Sequence, residues 1–158
     1  MSLARLLAAP WLVPAVFVAH LAATLVMVGV IWFVQVVHYP LFAGVGAAGF
    51  RGYAAAHGRR TTWVVAPPML VELGTGVALV WRRPDVMPAS WAWAGAALVA
   101  VVWAATFGLA VPRHTELGGG FDPRAHRRLV RTNWVRTVAW TVRGALVVIV
   151  VARMAVDG

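Results

Sequence analysis

The chain has 158 residues, of which 61% are hydrophobic and 12% are charged, and its mean hydropathy is +0.78. Soluble domains carry about 25% charged residues, so this composition excludes an ordinary water-soluble fold and predicts an integral membrane protein. The formal net charge of +9 comes from arginines that lie beside the apolar segments, so we attribute it to anionic headgroups and expect no nucleic acid partner.

Four apolar segments are each long enough to cross a bilayer core of about 30 Å, which takes about 20 helical residues. They are residues 11–37, 61–81, 91–111 and 134–151. Pro67 and Pro68 interrupt the second segment and predict a kink there, whereas Pro112 closes the third. The prediction is a single all-α transmembrane domain over residues 1–158, an integral membrane four-helix bundle that runs up-down-up-down.

The fourth segment follows an amphipathic stretch that opens with Asp122 and Pro123, which is typical of a helix N-cap with proline at the first helical position. We therefore expect an amphipathic extension before helix four. The two long joins, residues 39–60 and 113–133, hold eight arginines, against four on the other side, among them Arg5. This asymmetry favours cytoplasmic long joins and a bacterial inner membrane protein.

The up-down order brings one histidine from each helix to the face that carries the long joins. They are His38, His57, His114 and His126. Ionisable groups at membrane depth are functional candidates because their burial is costly. Cysteine is absent, which leaves imidazole and carboxylate as metal ligands.

We predict a divalent metal site, holding Fe, Cu or Zn, formed by His38, His57, Glu72 and His114. Haem is less favoured because neither helix one nor helix four carries the paired histidines expected of a two-haem cytochrome core. The alternative for His57 and His126 is that they are interfacial residues beside arginines.

Helix four carries a second polar stripe, in which Asn133, Arg136 and Arg143 recur at helical spacing and must face inward. Arg143 and Glu72 both fall about 15 Å below the long-join face at 1.5 Å per residue, which predicts an ion pair. Two interpretations stay open: a brace between two helices, or a carboxylate that takes a proton, metal or substrate at the end of a cavity.

Five segments carry a resemblance to a widespread group of uncharacterised bacterial four-span proteins. They are QVVHYPLF (35–42), FRGYAAAHGRR (50–60), PPMLVE (67–72), VPRHTELGGGFD (111–122) and NWVRTVAWTVRG (133–144). The chain is more distantly similar to the anthrone-oxygenase-like membrane family, through its four-span size and Asn133, Trp134, Arg136 and Thr137.

The distant resemblance implies a small membrane-embedded oxygenase or related oxidoreductase that needs no added cofactor and acts on a hydrophobic aromatic substrate from the bilayer. It further implies that Asn133 and Arg136 orient the substrate, that His38 or His114 moves a proton, and that Glu72 lies deeper in the pocket. The metal-binding and cofactor-free forms of the site both stay open here.

The leading functional prediction is a membrane-embedded oxidoreductase with a polar pocket, in which Glu72, Asn133, Arg136 and Arg143 are the catalytic residues. The alternatives are a protein that binds or transports a small molecule, an ion or a lipid, with Glu72 and Arg143 as a gate, and an accessory membrane subunit. Membrane lipid and a hydrophobic small molecule are the expected partners, and assembly as a homo-oligomer stays open.

Overall fold

The computed structural model describes residues 9–157, and the regular structure of this range is helical throughout. The α-helices are α1 (Leu12–Phe33), α2 (Ala47–Trp81), α3 (Ala89–Ala105), α4 (Val111–Gly118) and α5 (Pro123–Asp157). A π-helical segment, Val34–His38, continues α1, and a second, Thr106–Ala110, joins α3 to α4. The protein is thus an all-α bundle of four long helical units, which confirms the predicted fold class.

The four units pack in a ring. Helix α1 contacts α2 and α5, and α3 contacts the same two helices, as expected when consecutive helices are antiparallel neighbours. Three apolar clusters fill the axis: one around Phe17 and Leu79, a middle one around Met27 and Trp140, and one around Phe42 at the histidine-bearing end.

The outer surface of the bundle is apolar, while its axis contains buried polar groups. Val18 and Leu70 are 61% and 59% exposed, whereas Glu72 and Arg143 are buried. Four helical stretches are long and apolar enough to cross a membrane: Leu12–Gly44, Ala47–Trp81, Ala89–Gly118 and Pro123–Val156. This distribution of apolar and polar side chains fits a membrane protein, because lipid favours apolar groups outside.

The helices extend beyond the apolar segments at the histidine-bearing end. Helix α2 begins at Ala47, well before the apolar segment at residue 61, directly after Gly46 with a φ of 80°. Helix α5 begins at Pro123, where the Arg124 amide donates to Asp122 Oδ1 at 2.7 Å. The amphipathic extension is therefore the first part of α5, as predicted. Arg5, one of the four arginines counted on the side opposite the long joins, lies outside the described residues.

Each π-helical segment ends two residues before a proline. At the end of these segments, the Tyr39 amide donates to the Val34 carbonyl and the Val111 amide donates to the Thr106 carbonyl. Each of these hydrogen bonds spans five residues, whereas those of an α-helix span four. Proline lacks an amide hydrogen and crowds the carbonyl four residues earlier, so a wider turn before it relieves the clash. The first irregular turn contains His38, and the second ends one helical turn before His114; π-bulges are frequent at functional sites.

Candidate functional site

Three of the predicted histidines meet at one end of the bundle. His38 Nε2 lies 2.8 Å from His57 Nδ1, and the ring centroids of His57 and His114 are 5.2 Å apart. His114 Nε2 lies 2.9 Å from the Tyr39 hydroxyl. These four residues are called the histidine cluster below. His38 ends the first π-helical segment and Tyr39 follows it, whereas His57 belongs to α2 and His114 to α4. The predicted convergence of His38, His57 and His114 is confirmed.

Aromatic rings surround the histidine cluster. Phe42 packs edge-on against His38 and His57, with centroid distances of 5.3 and 5.1 Å, and Tyr53 stacks on His57. Thr61 Oγ1 also lies 3.1 Å from His57 Nδ1. The aromatic rings limit the rotation of the imidazoles. The hydrogen bonds of the cluster are therefore formed between imidazole nitrogens and hydroxyl groups. Linked imidazoles of this kind can accept, hold and pass on a proton.

His126 lies next to the cluster but has a different role. Its Nε2 donates a hydrogen bond to the Tyr39 carbonyl at 2.7 Å, and its ring stacks on Phe42. The bond holds α5 to the chain segment that follows the first π-helical turn. The side chain of His126 therefore joins α5 to this segment.

A second polar layer lies between the first π-helical segment and α5. Asn133 Nδ2 donates to Gln35 Oε1 at 2.9 Å, and Arg136 Nη1 donates to Asn133 Oδ1 at 3.2 Å. Thr137 Oγ1 lies 3.4 Å from the same Gln35 oxygen. Arg136 also lies over the Trp140 ring at 5.3 Å and is an electrostatic neighbour of the histidine cluster. Asn133 and Arg136 face inward, as predicted.

The third polar layer contains the ion pair predicted from depth. Glu72 Oε1 accepts hydrogen bonds from Thr24 at 2.8 Å and from Arg143 Nε at 3.0 Å, while Oε2 accepts from Trp140 Nε1 at 2.8 Å. Arg143 Nη2 lies 3.0 Å from Glu72 Oε1. His20 completes the layer, with Nδ1 2.8 Å from Thr75 Oγ1. Both carboxylate oxygens have partners, which favours the brace interpretation.

The structure separates Glu72 from the histidines with which it was grouped as a metal ligand. His57 and Glu72 lie on the same helix, and fifteen residues of helix span about 22 Å. No group of three or more histidine, aspartate or glutamate side chains within residues 9–157 is arranged to hold a metal ion. The predicted set of His38, His57, His114 and Glu72 is therefore wrong as a single centre, because the histidines and the carboxylate lie at different depths.

A groove between α1 and α2 opens on the outer, apolar surface and reaches the histidine cluster. Its volume is about 400 Å³, and we call it the α1–α2 groove. Its lining residues are Gly29, Val30, Phe33, Val34, His38, Arg60, Thr61, Val64 and Val65. The groove is thus apolar along its length and polar where His38, Arg60 and Thr61 close it. The sequence does not predict this groove, because a groove depends on how two helix faces fit together.

Two further grooves differ from the α1–α2 groove in their lining residues. The α2–α3 groove, of about 300 Å³, is lined by Leu73, Gly76, Val77, Ala96, Val99, Ala100 and Trp103 and contains no ionisable side chain. The basic groove, of about 890 Å³, is lined by Pro40, Arg124, His126, Arg127, Arg128, Val130, Arg131 and Trp134. Of these three grooves, the α1–α2 groove combines an apolar path with a titratable group at its end.

The fold and the site define a class: a four-helix protein with membrane-length helices, a buried polar axis and a histidine cluster at one end. No family model, no curated protein and no solved structure matches the chain.

Proposed function

We propose that the protein is a membrane-embedded oxidoreductase of the oxygenase type that takes a hydrophobic small molecule from the bilayer. The molecule binds in the α1–α2 groove and gives up a proton at the histidine cluster. The observation that carries the proposal is that the groove ends on His38, whose ring is hydrogen-bonded to His57. Catalysis of this kind uses the imidazoles as general bases.

The α1–α2 groove suits an aromatic ligand by size and by chemistry. Ligand sites commonly enclose about 300–1,000 Å³ and combine apolar walls with a few convergent polar groups. Here Phe33, Val34 and Val64 provide apolar walls, and His38 and Thr61 provide the polar end. A ligand dissolved in the bilayer would reach His38 without crossing water.

The distant resemblance supplies the reaction class for this proposal. With an anthrone-type substrate, dioxygen oxidises the ring methylene to a carbonyl; one oxygen atom enters the product and the other leaves as water. The protein's part is to remove the proton, because loss of the proton makes the ring electron-rich enough to react with dioxygen. His38 is positioned to accept that proton, and His57 to share it through the 2.8 Å contact.

The cellular location belongs to the same proposal. The apolar outer surface and the arginines that flank it support insertion in a membrane whose headgroups are anionic. We place the chain in the bacterial inner membrane, with the histidine cluster toward the cytoplasm.

Turnover in lipid nanodiscs tests the proposal. Purified protein is given a hydroxylated anthrone, and oxygen uptake and quinone absorbance are followed above the rate of empty nanodiscs. Val64→Trp, which fills the α1–α2 groove, should abolish turnover, and His38→Gln should reduce it by about 10²-fold or more. The matched control is Val77→Trp in the α2–α3 groove, since Val64 and Val77 are similarly exposed, at 56% and 54%. Equal rates for the two tryptophan variants would contradict the proposal.

The metal form of the proposal has its own test. Three histidines from three segments could hold Fe, Cu or Zn if their side chains turned from one another toward a common ion. Metal analysis of gently purified protein, with each histidine replaced by alanine, decides this. Stoichiometric metal lost on substitution supports a metal centre, and a visible spectrum identifies haem. Substoichiometric metal that does not change on substitution favours the cofactor-free form.

Transport is the second candidate, and the continuity of the polar layers favours it. Arg136 lies over Trp140, which donates to Glu72, so polar groups continue from the histidine cluster to His20. Such a column could pass protons if Glu72 and Arg143 acted as a gate. Proton flux into proteoliposomes above that of empty liposomes, altered by Glu72→Gln, would support it. Flux equal to that of empty liposomes would reject it.

A further inference from the structure

We propose that the basic groove is a specific binding site for an anionic phospholipid, and that the bound headgroup holds in place the short Pro40–Gly44 helix beside the histidine cluster. The lipid site shares no lining residue with the α1–α2 groove, so it is independent of the reaction proposed there. Four arginines that face one groove next to an exposed apolar surface carry the proposal.

The arginines of the basic groove belong to one side of α5 and lack partners of opposite charge. They recur over two helical turns at i, i+3, i+4 and i+7: Arg124, Arg127, Arg128 and Arg131. All four are exposed, and the ion pairs in the part of the chain that the structure describes involve other residues. Like charges four residues apart destabilise a helix. An anion in the groove would therefore relieve the repulsion between these guanidinium groups.

Two other exposed arginines are held by groups of the protein. Arg51 Nε donates to the Gly119 carbonyl at 2.8 Å, and the Arg153 guanidinium lies over the Trp91 ring at 4.7 Å. The guanidinium groups of the basic groove make no such contact with residues 9–157. Arginine forms paired, charge-assisted hydrogen bonds with phosphate oxygens. The basic groove therefore suits a phosphate group from outside the chain.

The apolar surface beyond the groove identifies this phosphate as that of a lipid. Trp134 lines the groove where the apolar part of α5 begins, and its ring packs edge-on against Trp32 at 5.7 Å. Tryptophan commonly lies at the level of the headgroups. Four and eight residues further along the same side of α5, Val138 and Val142 are 55% and 43% exposed. Acyl chains can lie along these side chains while the phosphate contacts the arginines, whereas a soluble phosphate has no use for them.

The opposite wall of the basic groove belongs to the chain segment that borders the histidine cluster. Pro40 lines the groove, and its neighbour Tyr39 contacts His114 through a hydroxyl 2.9 Å from Nε2. His126, which also lines the groove, is hydrogen-bonded to the Tyr39 carbonyl. A headgroup bound between α5 and this segment would restrain both walls of the groove. The position of Tyr39 in the cluster would then depend on the lipid.

Lipid titration followed by native mass spectrometry tests the binding site. Protein freed of lipid in a mild detergent is titrated with phosphatidylglycerol, with phosphatidylcholine, and with glycerol 3-phosphate, which has the phosphate but no acyl chain. Phosphatidylglycerol should bind about tenfold or more tightly than either of the others. Arg127→Gln combined with Arg131→Gln should remove most of this difference. The control, Arg59→Gln combined with Arg60→Gln, removes the same charge from the same end of the bundle but outside the basic groove and should change the affinity by less than about threefold.

The titration also separates the alternatives. Equal affinities for the two phospholipids, or equal losses in the two double variants, would show general surface charge in place of a site and would overturn the proposal. Glycerol 3-phosphate that binds as tightly as phosphatidylglycerol would overturn the lipid assignment in favour of a soluble anion.

Amide hydrogen exchange tests whether the lipid holds the Pro40–Gly44 helix. In wild-type protein, the amides of residues 41–45 should exchange more slowly in nanodiscs of phosphatidylglycerol than in nanodiscs of phosphatidylcholine, and the Arg127→Gln, Arg131→Gln protein should lose this protection. The wild-type comparison does not depend on how well a variant folds. Equal exchange in the two membranes would overturn the restraint. These readouts do not use anthrone turnover, so their failure is distinct from a failure of the proposed function.

Discussion

Replacing Glu72 by glutamine should be the most destabilising conservative change in the bundle. The carboxylate accepts from Thr24, Trp140 and Arg143 and is 3% exposed. Glutamine keeps one acceptor oxygen, but its amide NH₂ would face either Trp140 Nε1 or the Arg143 guanidinium, which are themselves donors. Arg143 would also be left as a buried unpaired cation. Breaking a buried ion pair costs about 3–5 kcal/mol, so we expect a loss of that size in the free energy of unfolding.

Reversible unfolding in mixed detergent micelles, followed by tryptophan fluorescence, measures this loss. The control is Glu116→Gln, because its ion pair with Arg113 is at the surface, where pairs contribute about 0–1 kcal/mol. The double variant Glu72→Gln with Arg143→Met should lose less than the sum of the single losses, with a coupling free energy of up to about 3 kcal/mol. A loss below about 1 kcal/mol for Glu72→Gln would refute the brace.

Three further predictions follow from particular contacts. Gly144→Ala places a Cβ 2.9 Å from Val28 Cγ2, so it should lower the free energy of unfolding by about 1–3 kcal/mol. Adding Val28→Ala should recover most of this loss. The control Gly74→Ala, whose Cβ meets nothing within 4 Å, should be neutral or stabilising. Tyr39→Phe removes the hydroxyl that contacts His114 and should cost about 0.5–1.5 kcal/mol while slowing anthrone oxidation; an unchanged rate would exclude that hydroxyl from proton transfer. Neutralising the arginines of the basic groove with glutamine should reduce the anionic phospholipid that copurifies, as measured by lipid mass spectrometry, and equal lipid content would contradict the headgroup assignment.

Depth along a helix could be predicted from the sequence because each residue adds a fixed rise. Counting residues placed Glu72 opposite Arg143, and the structure forms that ion pair. The up-down order likewise brought His38, His57 and His114 to one end. These results need only the rise per residue and the antiparallel order of the helices.

The sequence could not predict the direction in which each side chain points around its helix axis, or which side chains it contacts. A π-helical turn contains an extra residue, which rotates everything beyond it by about 100° relative to an ideal helix, and two such turns flank the cluster. The prolines that follow them, Pro40 and Pro112, were a signal that could have indicated these turns. The Tyr39 contact with His114 and the bond from Asn133 to Gln35 depend on that rotation.

Grouping Glu72 with the histidines failed for a different reason. The residue types suit a metal, but fifteen residues of α2 separate His57 from Glu72, a distance of about 22 Å that exceeds the reach of a side chain. The rise per residue that brings Glu72 level with Arg143 therefore also separates it from the histidines.

Photolabelling tests most directly whether a ligand from the bilayer reaches the histidine cluster between α1 and α2. A hydrophobic phenol that carries a diazirine is equilibrated with the protein in nanodiscs, irradiated, and its adducts are located by mass spectrometry. We predict adducts within residues 29–38 and 60–65, lost in Val64→Trp. Adducts confined to the α2–α3 groove, or spread evenly over the outer surface, would contradict the account.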